Sequence, residues 1–118
     1  MEILVTREPT DEKTLRALAD AWFGDMVKGA IDIARGTLAL GGDWHMDANV
    51  KLIEDGSSQE DVWGFNVYPE KRGDDAIEYI SLINIRPRQG NRDMELQDPT
   101  LRRKVRETVA HAIPFLGL

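Results

Sequence analysis

The run "INIRPRQGNRDMELQDP", residues 83–99, sets Arg86, Arg92, the amides of Asn84, Gln89 and Asn91, and Gly90 in one connection before a helix start. Guanidinium groups form forked hydrogen bonds to carboxylates and phosphates. Gly90 permits the positive φ that brings backbone N–H groups up to a ligand. Asn84, Arg86, Gln89, Asn91 and Arg92 are therefore the candidate ligand-binding set, suited to a small anionic molecule or an acidic peptide. Asn66, on a neighbouring strand, presents a further amide. The spacing predicts an ordered loop, fixed by Pro87 at one end and Asp98-Pro99 at the other, with Arg86 and Arg92 converging on one concavity. The competing reading has Arg86 paired with an acidic residue such as Asp61, while the amides satisfy loop backbone groups.

A second constellation is His45-x-Asp47 at the start of a helix. These residues are the catalytic candidates, His45 as base and Asp47 as the carboxylate that orients it. Residues i and i+2 do not share a helix face, so they are poorly placed to hold one metal ion together. No further ligand stands at an established spacing, and neither a metal nor any other cofactor is expected. The acidic run "EDGSSQED" (54–61) lacks the calcium-loop pattern. Ser57 and Ser58 lack a nucleophile-elbow context, and no glycine-rich phosphate-binding segment occurs.

The 118 residues and 13.3 kDa suit a single domain, 1–118, with room for a real core. With no cysteine, disulfides, thiolate metal sites and cysteine nucleophiles are excluded. A net charge of −6 argues against nucleic acid as a partner. No stretch approaches the length of a membrane span and the N-terminus is not that of a signal peptide, so a cytoplasmic location is expected.

The elements that must position these groups follow from periodicity. "EILVT" (2–6) reads as a strand. Leu15, Leu18, Ala19 and Trp22 lie at i, i+3, i+4 and i+7, one face of a helix from Asp11 to Phe23, with Thr10 as a cap and Gly24 at its end. Alternation of Val27, Gly29, Ile31 and Ile33 predicts a strand, although Met26, Ala30 and Ile33 also recur at helical spacing. A hairpin near Arg35-Gly36 leads into "TLAL". Asp43 is placed to cap a helix to about Asp55, with Met46, Val50 and Ile53 on one face. "DVWGFNVYP" and "AIEYISLINIRP" read as strands joined by a hairpin, with Ile80, Leu82, Asn84 and Arg86 sharing a face of the second. A last helix starts at Asp98-Pro99, carries Leu101, Val105, Val109 and Ala112 as its stripe, and stops at Pro114. The order β-α-β-β-α-β-β-α predicts an α+β domain, mainly an antiparallel sheet with helices packed on it.

Two segments, "GGDWHMDANVKLIEDGSSQEDVWGFNVYPE" (41–70) and "INIRPRQGNR" (83–92), resemble a family of small prokaryotic proteins known only as a domain of unknown function. The likeness extends through "GDMVKGAIDIARG" and the Asp-Pro helix, whereas the N-terminal helix and the last residues match in pattern alone. No activity comes with it. Three functions therefore stand side by side: a small binding module acting through residues 84–92, a small hydrolase or lyase using His45 and Asp47, and an assembly protein without a small-molecule ligand. A homo-oligomer is compatible with each.

Overall fold

A computed structural model describes residues 1–118. Five strands, β1 (Leu4–Thr6), β2 (Val27–Asp32), β3 (Thr37–Leu40), β4 (Val62–Val67) and β5 (Ile77–Glu78), form one sheet in the order β1-β3-β2-β4-β5. Every neighbouring pair is antiparallel. Three helices, α1 (Glu12–Trp22), α2 (His45–Glu54) and α3 (Pro99–Ala112), cover it. The protein is an α+β domain in the expected element order. No helix is long and apolar enough to cross a membrane.

The period-two alternation of the central strands sorts residues between two cores. Val27, Ile31, Leu38, Leu40, Trp63, Phe65 and Val67 face one side, where Leu15 and Leu18 of α1 and Val105 and Val109 of α3 complete the larger cluster. Ala30, Ala39 and Val62 face the other, against Ala48 and Leu52 of α2. Both sides of β4 are buried throughout, as two covering layers require.

The helix boundaries follow local chemistry. Asp11, rather than Thr10, caps α1, its carboxylate accepting from the Thr14 N–H at 2.8 Å. The Thr10 N–H instead donates to the Ala112 carbonyl at 2.7 Å, tying the start of α1 to the end of α3. Asp98 caps α3 by accepting from the Thr100 N–H at 2.9 Å, with Pro99 in the first turn, where no N–H is needed. Trp44 rather than Asp43 precedes α2, and the Asp47 carboxylate accepts from the Trp44 N–H at 3.0 Å.

Two expectations need correction. The face of α2 that enters the core carries Ala48, Asn49 and Leu52, while Met46, Val50 and Ile53 stay exposed. The sheet opposite presents Ala30, Ala39, Val62 and Gly64, and Ala48 and Leu52 pack against them. Asn49 is accommodated by a reciprocal amide pair with Gln59, at 2.8 and 2.7 Å.

The second correction concerns "AIEYISLINIRP", of which only Ile77–Glu78 pairs with β4. The chain then leaves the sheet, Ile80 bridges to Glu95, and Leu82–Asn84 form a 3-10 turn, so Ile80, Leu82, Asn84 and Arg86 do not share a strand face. The Ser81 hydroxyl starts that turn by accepting from the Ile83 N–H at 3.2 Å. Such local side-chain bonds compete with strand pairing.

The departing chain presses on β4 at Gly64. A Cβ there would lie 2.5 Å from Ser81 Cβ and 3.0 Å from Ile83 Cγ1. Gly64→Ala should therefore destabilise the fold by about 1–3 kcal/mol, the usual cost of overpacking. Urea denaturation checks this, and an unchanged midpoint would mean that residues 81–83 do not pack on the strand as described.

Candidate functional site

Strand register builds the floor of the site. Lys28 pairs with Asn66 across β2 and β4, and Asn66 pairs with Glu78 across β4 and β5. Directly paired residues project from the same face with Cβ atoms about 5 Å apart, so the three form a polar row on the α2 side of the sheet. Above this row stands His45, the first residue of α2. Gly41 and Gly42, at φ +117° and +97°, make the reversal that brings the helix start down there. A Cβ on Gly41 would meet the Trp22 ring at 2.6 Å.

The imidazole is held in one orientation. Its Nε2 lies 2.7 Å from Asn66 Oδ1 and 3.1 Å from the Phe65 carbonyl. Both partners accept, so Nε2 carries the proton. The amide orientation of Asn66 is fixed in turn, because its Nδ2 donates to Glu78 Oε1 at 3.3 Å and to the Ile80 carbonyl at 3.4 Å. Tyr68 donates to the same Glu78 oxygen at 2.6 Å, and burial together with that carboxylate pushes its phenol up to about 12. Tyr68, Glu78, Asn66 and His45 thus form one chain of hydrogen bonds.

Burial pulls the His45 pKa below its ordinary value, and Lys28 adds to the effect against the opposing bonds to Asn66 and Phe65. A neutral ring with its proton on Nε2 leaves Nδ1 as a lone pair without a protein partner.

His45, Lys28 and Asn66 line a cavity of about 460 Å³. Its remaining wall is mostly apolar: Trp44 and Met46 at the start of α2, Ile80, Leu82 and Ile83 from the departing chain, and Met94. The Lys28 ammonium lies 4.8 Å from the Phe23 ring centre and 5.4 Å from that of Trp44. It forms no ion pair, whereas most arginines do.

The other residues singled out in the sequence lie elsewhere. Asp47 is spent on the Trp44 N–H, and Asn66, not Asp47, orients His45. Asn84 is fully buried; its amide accepts from the Gly64 N–H at 2.8 Å and donates to the Gly64 carbonyl at 3.0 Å and the Met94 carbonyl at 3.2 Å. Arg86 lies over the Trp63 ring, 4.0 Å from its centre, and donates to the carbonyls of Ile83, Gln59 and Val62. Gln89 accepts from Arg86 and donates to the Glu60 carbonyl. Asn91 is buried, donating to the carbonyls of Asn84, Asp93 and Glu95 and accepting from the Gln97 N–H. Arg92 is exposed with no hydrogen-bond partner.

Arg86 and Arg92 therefore do not converge on a concavity, and none of the five residues lines the cavity. The physical reason is that this segment has little regular structure, so its carbonyls take their donors from its own side chains. Nor do three histidine or carboxylate side chains gather anywhere in a metal-binding group.

Lys28, Glu78 and Tyr68 did not stand out in the sequence. The available signal was a lysine and an asparagine on strand faces that otherwise carry Ala30, Val62 and Gly64, with Asp32 at the far end of β2.

Residues 4–112 match a family described as "Protein of unknown function (DUF5674)". The chain belongs to this family. No curated protein and no solved structure matches it. In this DUF5674 protein the motif-rich segments 41–70 and 83–92 supply, respectively, the His45 side of the cavity and the turns that brace its opposite wall.

Two outcomes follow. Arg86→Ala strips donors from three carbonyls and should cost about 2–3 kcal/mol, whereas Arg92→Ala should stay within about 0.5 kcal/mol of wild type. Equal small losses in urea denaturation would show that the Arg86 guanidinium is not committed inward. The second concerns pH. Because the folded His45 pKa lies below the unfolded value near 6.5, its contribution is fully present above that pH. As pH falls through about 6.5 towards the folded pKa, the unfolded chain takes up the proton first and stability is lost. His45→Gln should flatten the part of the stability profile that falls away below about pH 6.5, and an unchanged slope in the variant would refute the assignment.

Proposed function

We propose that the protein is a small-molecule binding module whose ligand has an apolar body and an anionic head. The observation that carries this reading is the unpaired Lys28 ammonium at an otherwise largely apolar cavity. The volume of about 460 Å³ lies within the ~300–1,000 Å³ common for ligand sites, and a few polar groups in an apolar wall are what fix a ligand's orientation. Lys28 supplies the charge for the head group. The free lone pair of His45 Nδ1 accepts from a donor on the ligand beside that head, Asn66 holds the ring in place, and the methionines adapt to the body of the ligand. Of the two ligands expected from the sequence, an anionic small molecule or an acidic peptide, this reading keeps the first, adds an apolar body and moves it from residues 84–92 to this cavity. A cytoplasmic location and the absence of nucleic-acid partners suit the composition and the net charge of −6.

One observation favours a second reading, a hydrolase or lyase. His45 has one nitrogen fixed by Asn66 and the Phe65 carbonyl and the other free, which suits a general base. Turnover of 4-nitrophenyl esters that is lost in His45→Gln and reaches a plateau above the lowered His45 pKa would support it. Turnover equal in both proteins would leave binding alone.

The binding reading is tested by a thermal-shift series with octanoate and phenylacetate against octanol. A carboxylate at 100 times its dissociation constant should add about 2.7 kcal/mol, several degrees in Tm for a chain of this size. Lys28→Met should weaken carboxylate binding about 10- to 100-fold, the worth of a charge-assisted hydrogen bond, and leave octanol unaffected. Carboxylates that give no shift, or a shift insensitive to Lys28→Met, would refute the reading.

A further inference from the structure

Helix α2 carries two apolar stripes, and only one has a partner. Ala48 and Leu52 are buried on the sheet, whereas Met46, Val50 and Ile53, at i, i+4 and i+7, lie on one exposed face. Beside the helix start, Trp44 is 65% exposed, and Leu82, across the cavity from Met46, is 64% exposed. Ile85, which follows the Leu82–Asn84 3-10 turn, is exposed as well.

We propose that a second copy of this chain covers this face, the two α2 helices packing antiparallel about a twofold axis near Val50. This goes beyond the cavity reading and rests on the outer stripe of α2, which does not line the cavity beyond Met46. Area supports it. From their exposed fractions these six residues present roughly 600 Å² of surface, the upper end for the largest apolar patch of a monomer. A standard interface takes ~800 Å² from each partner, about 65% apolar in homodimers, so this patch with a polar rim is the right size.

Shape supports a copy of the same chain. A twofold interface must be self-complementary, and the ridge Met46–Val50–Ile53 meets its own copy when the two helices run antiparallel across the axis. The i, i+4 ridge is the element that interdigitates when two helices cross. The stripe carries no charge, so the association does not set the −6 net charges of two copies directly against each other.

Light scattering between 1 and 100 µM tests the proposal. The expected mass is twice 13.3 kDa, falling to 13.3 kDa in the Val50→Lys/Ile53→Lys double variant. Neither position lines the cavity, so the carboxylate shift in Tm reads the ligand site separately. A dimer without that shift removes only the cavity reading, and a monomer that shows it removes only this one. Should the double variant not fold, Val50→Cys serves instead. The chain has no native cysteine, so mild oxidation should cross-link Val50→Cys across the axis and leave Lys104→Cys on α3 monomeric. A wild-type mass of 13.3 kDa at 100 µM, a dimer that survives both lysines, or equal cross-linking at both positions overturns the proposal.

Discussion

The N–H and carbonyl of Gly64 must be paired, and no strand does it. On one side β4 is bonded along its length to β2, but on the other β5 ends at Glu78, short of Gly64. A buried peptide group left open costs about as much as the hydrogen bonds it forgoes. The amide of Asn84 fills the place of the missing strand residue, offering one acceptor and one donor to Gly64 as a peptide would. Much else depends on that substitution. Bringing Asn84 to Gly64 forces residues 80–85 into turns, which stand Ile80, Leu82 and Ile83 beside α2 rather than in the sheet. Asn91 then secures the same turn through the Asn84 carbonyl, and Arg86 ties it to the Gln59 and Val62 carbonyls. The cavity wall is a by-product of satisfying one peptide unit.

The same geometry explains why the polar chemistry lies where it does. Where the sheet faces α2 closely, its residues are Ala30, Ala39, Val62 and Gly64, none of them polar. One register step towards the Val67 end of β4 the facing residues become Lys28, Asn66 and Glu78, because α2 has begun and its first residue hangs over them. His45 owes its neutral state to this position: the protein body lowers the worth of a charge there, and Lys28 lowers it further. The His45 tautomer is determined by acceptors that belong to a strand, so the imidazole is held by a helix and a strand even though the facing wall is made of turns.

The sequence revealed elements whose pattern is local. α1, α3, the β2–β3 hairpin and the Asp98-Pro99 cap were legible because each signal lies within a dozen residues. The strand reading of 76–87 held only for Ile77–Glu78, because Ile80, Leu82 and Ile83 have the strand composition while the deciding contact, Asn84 with Gly64, spans twenty residues. The candidate site was half legible. His45 stood out by type. Arg86 and Asn91 stood out too, but a cluster of donors looks alike whether it awaits a ligand or serves backbone carbonyls. Only placement separates the two: Arg86 covers Trp63 and reaches three carbonyls, whereas Lys28, a single cation in an apolar strand, reaches none.

Helix α2 carries the sharper lesson about patterns. A hydrophobic stripe is normally assigned to the core by the size of its members, and Met46, Val50 and Ile53 outweigh Ala48 and Leu52 on that count. Size works the other way here. The receiving surface is built of Ala30, Ala39 and Gly64 beside Val62, and a helix can rest against such a surface only through residues of matching depth. Tipping the helix to bury the larger stripe would lift Ala48 and Leu52 off the sheet, open a void beneath them and break the Asn49–Gln59 amide pair. It would also move His45 away from Asn66, since His45 is the first residue of the same helix. Close packing of the small face and placement of the imidazole are therefore one constraint, and the exposure of the large face is its consequence.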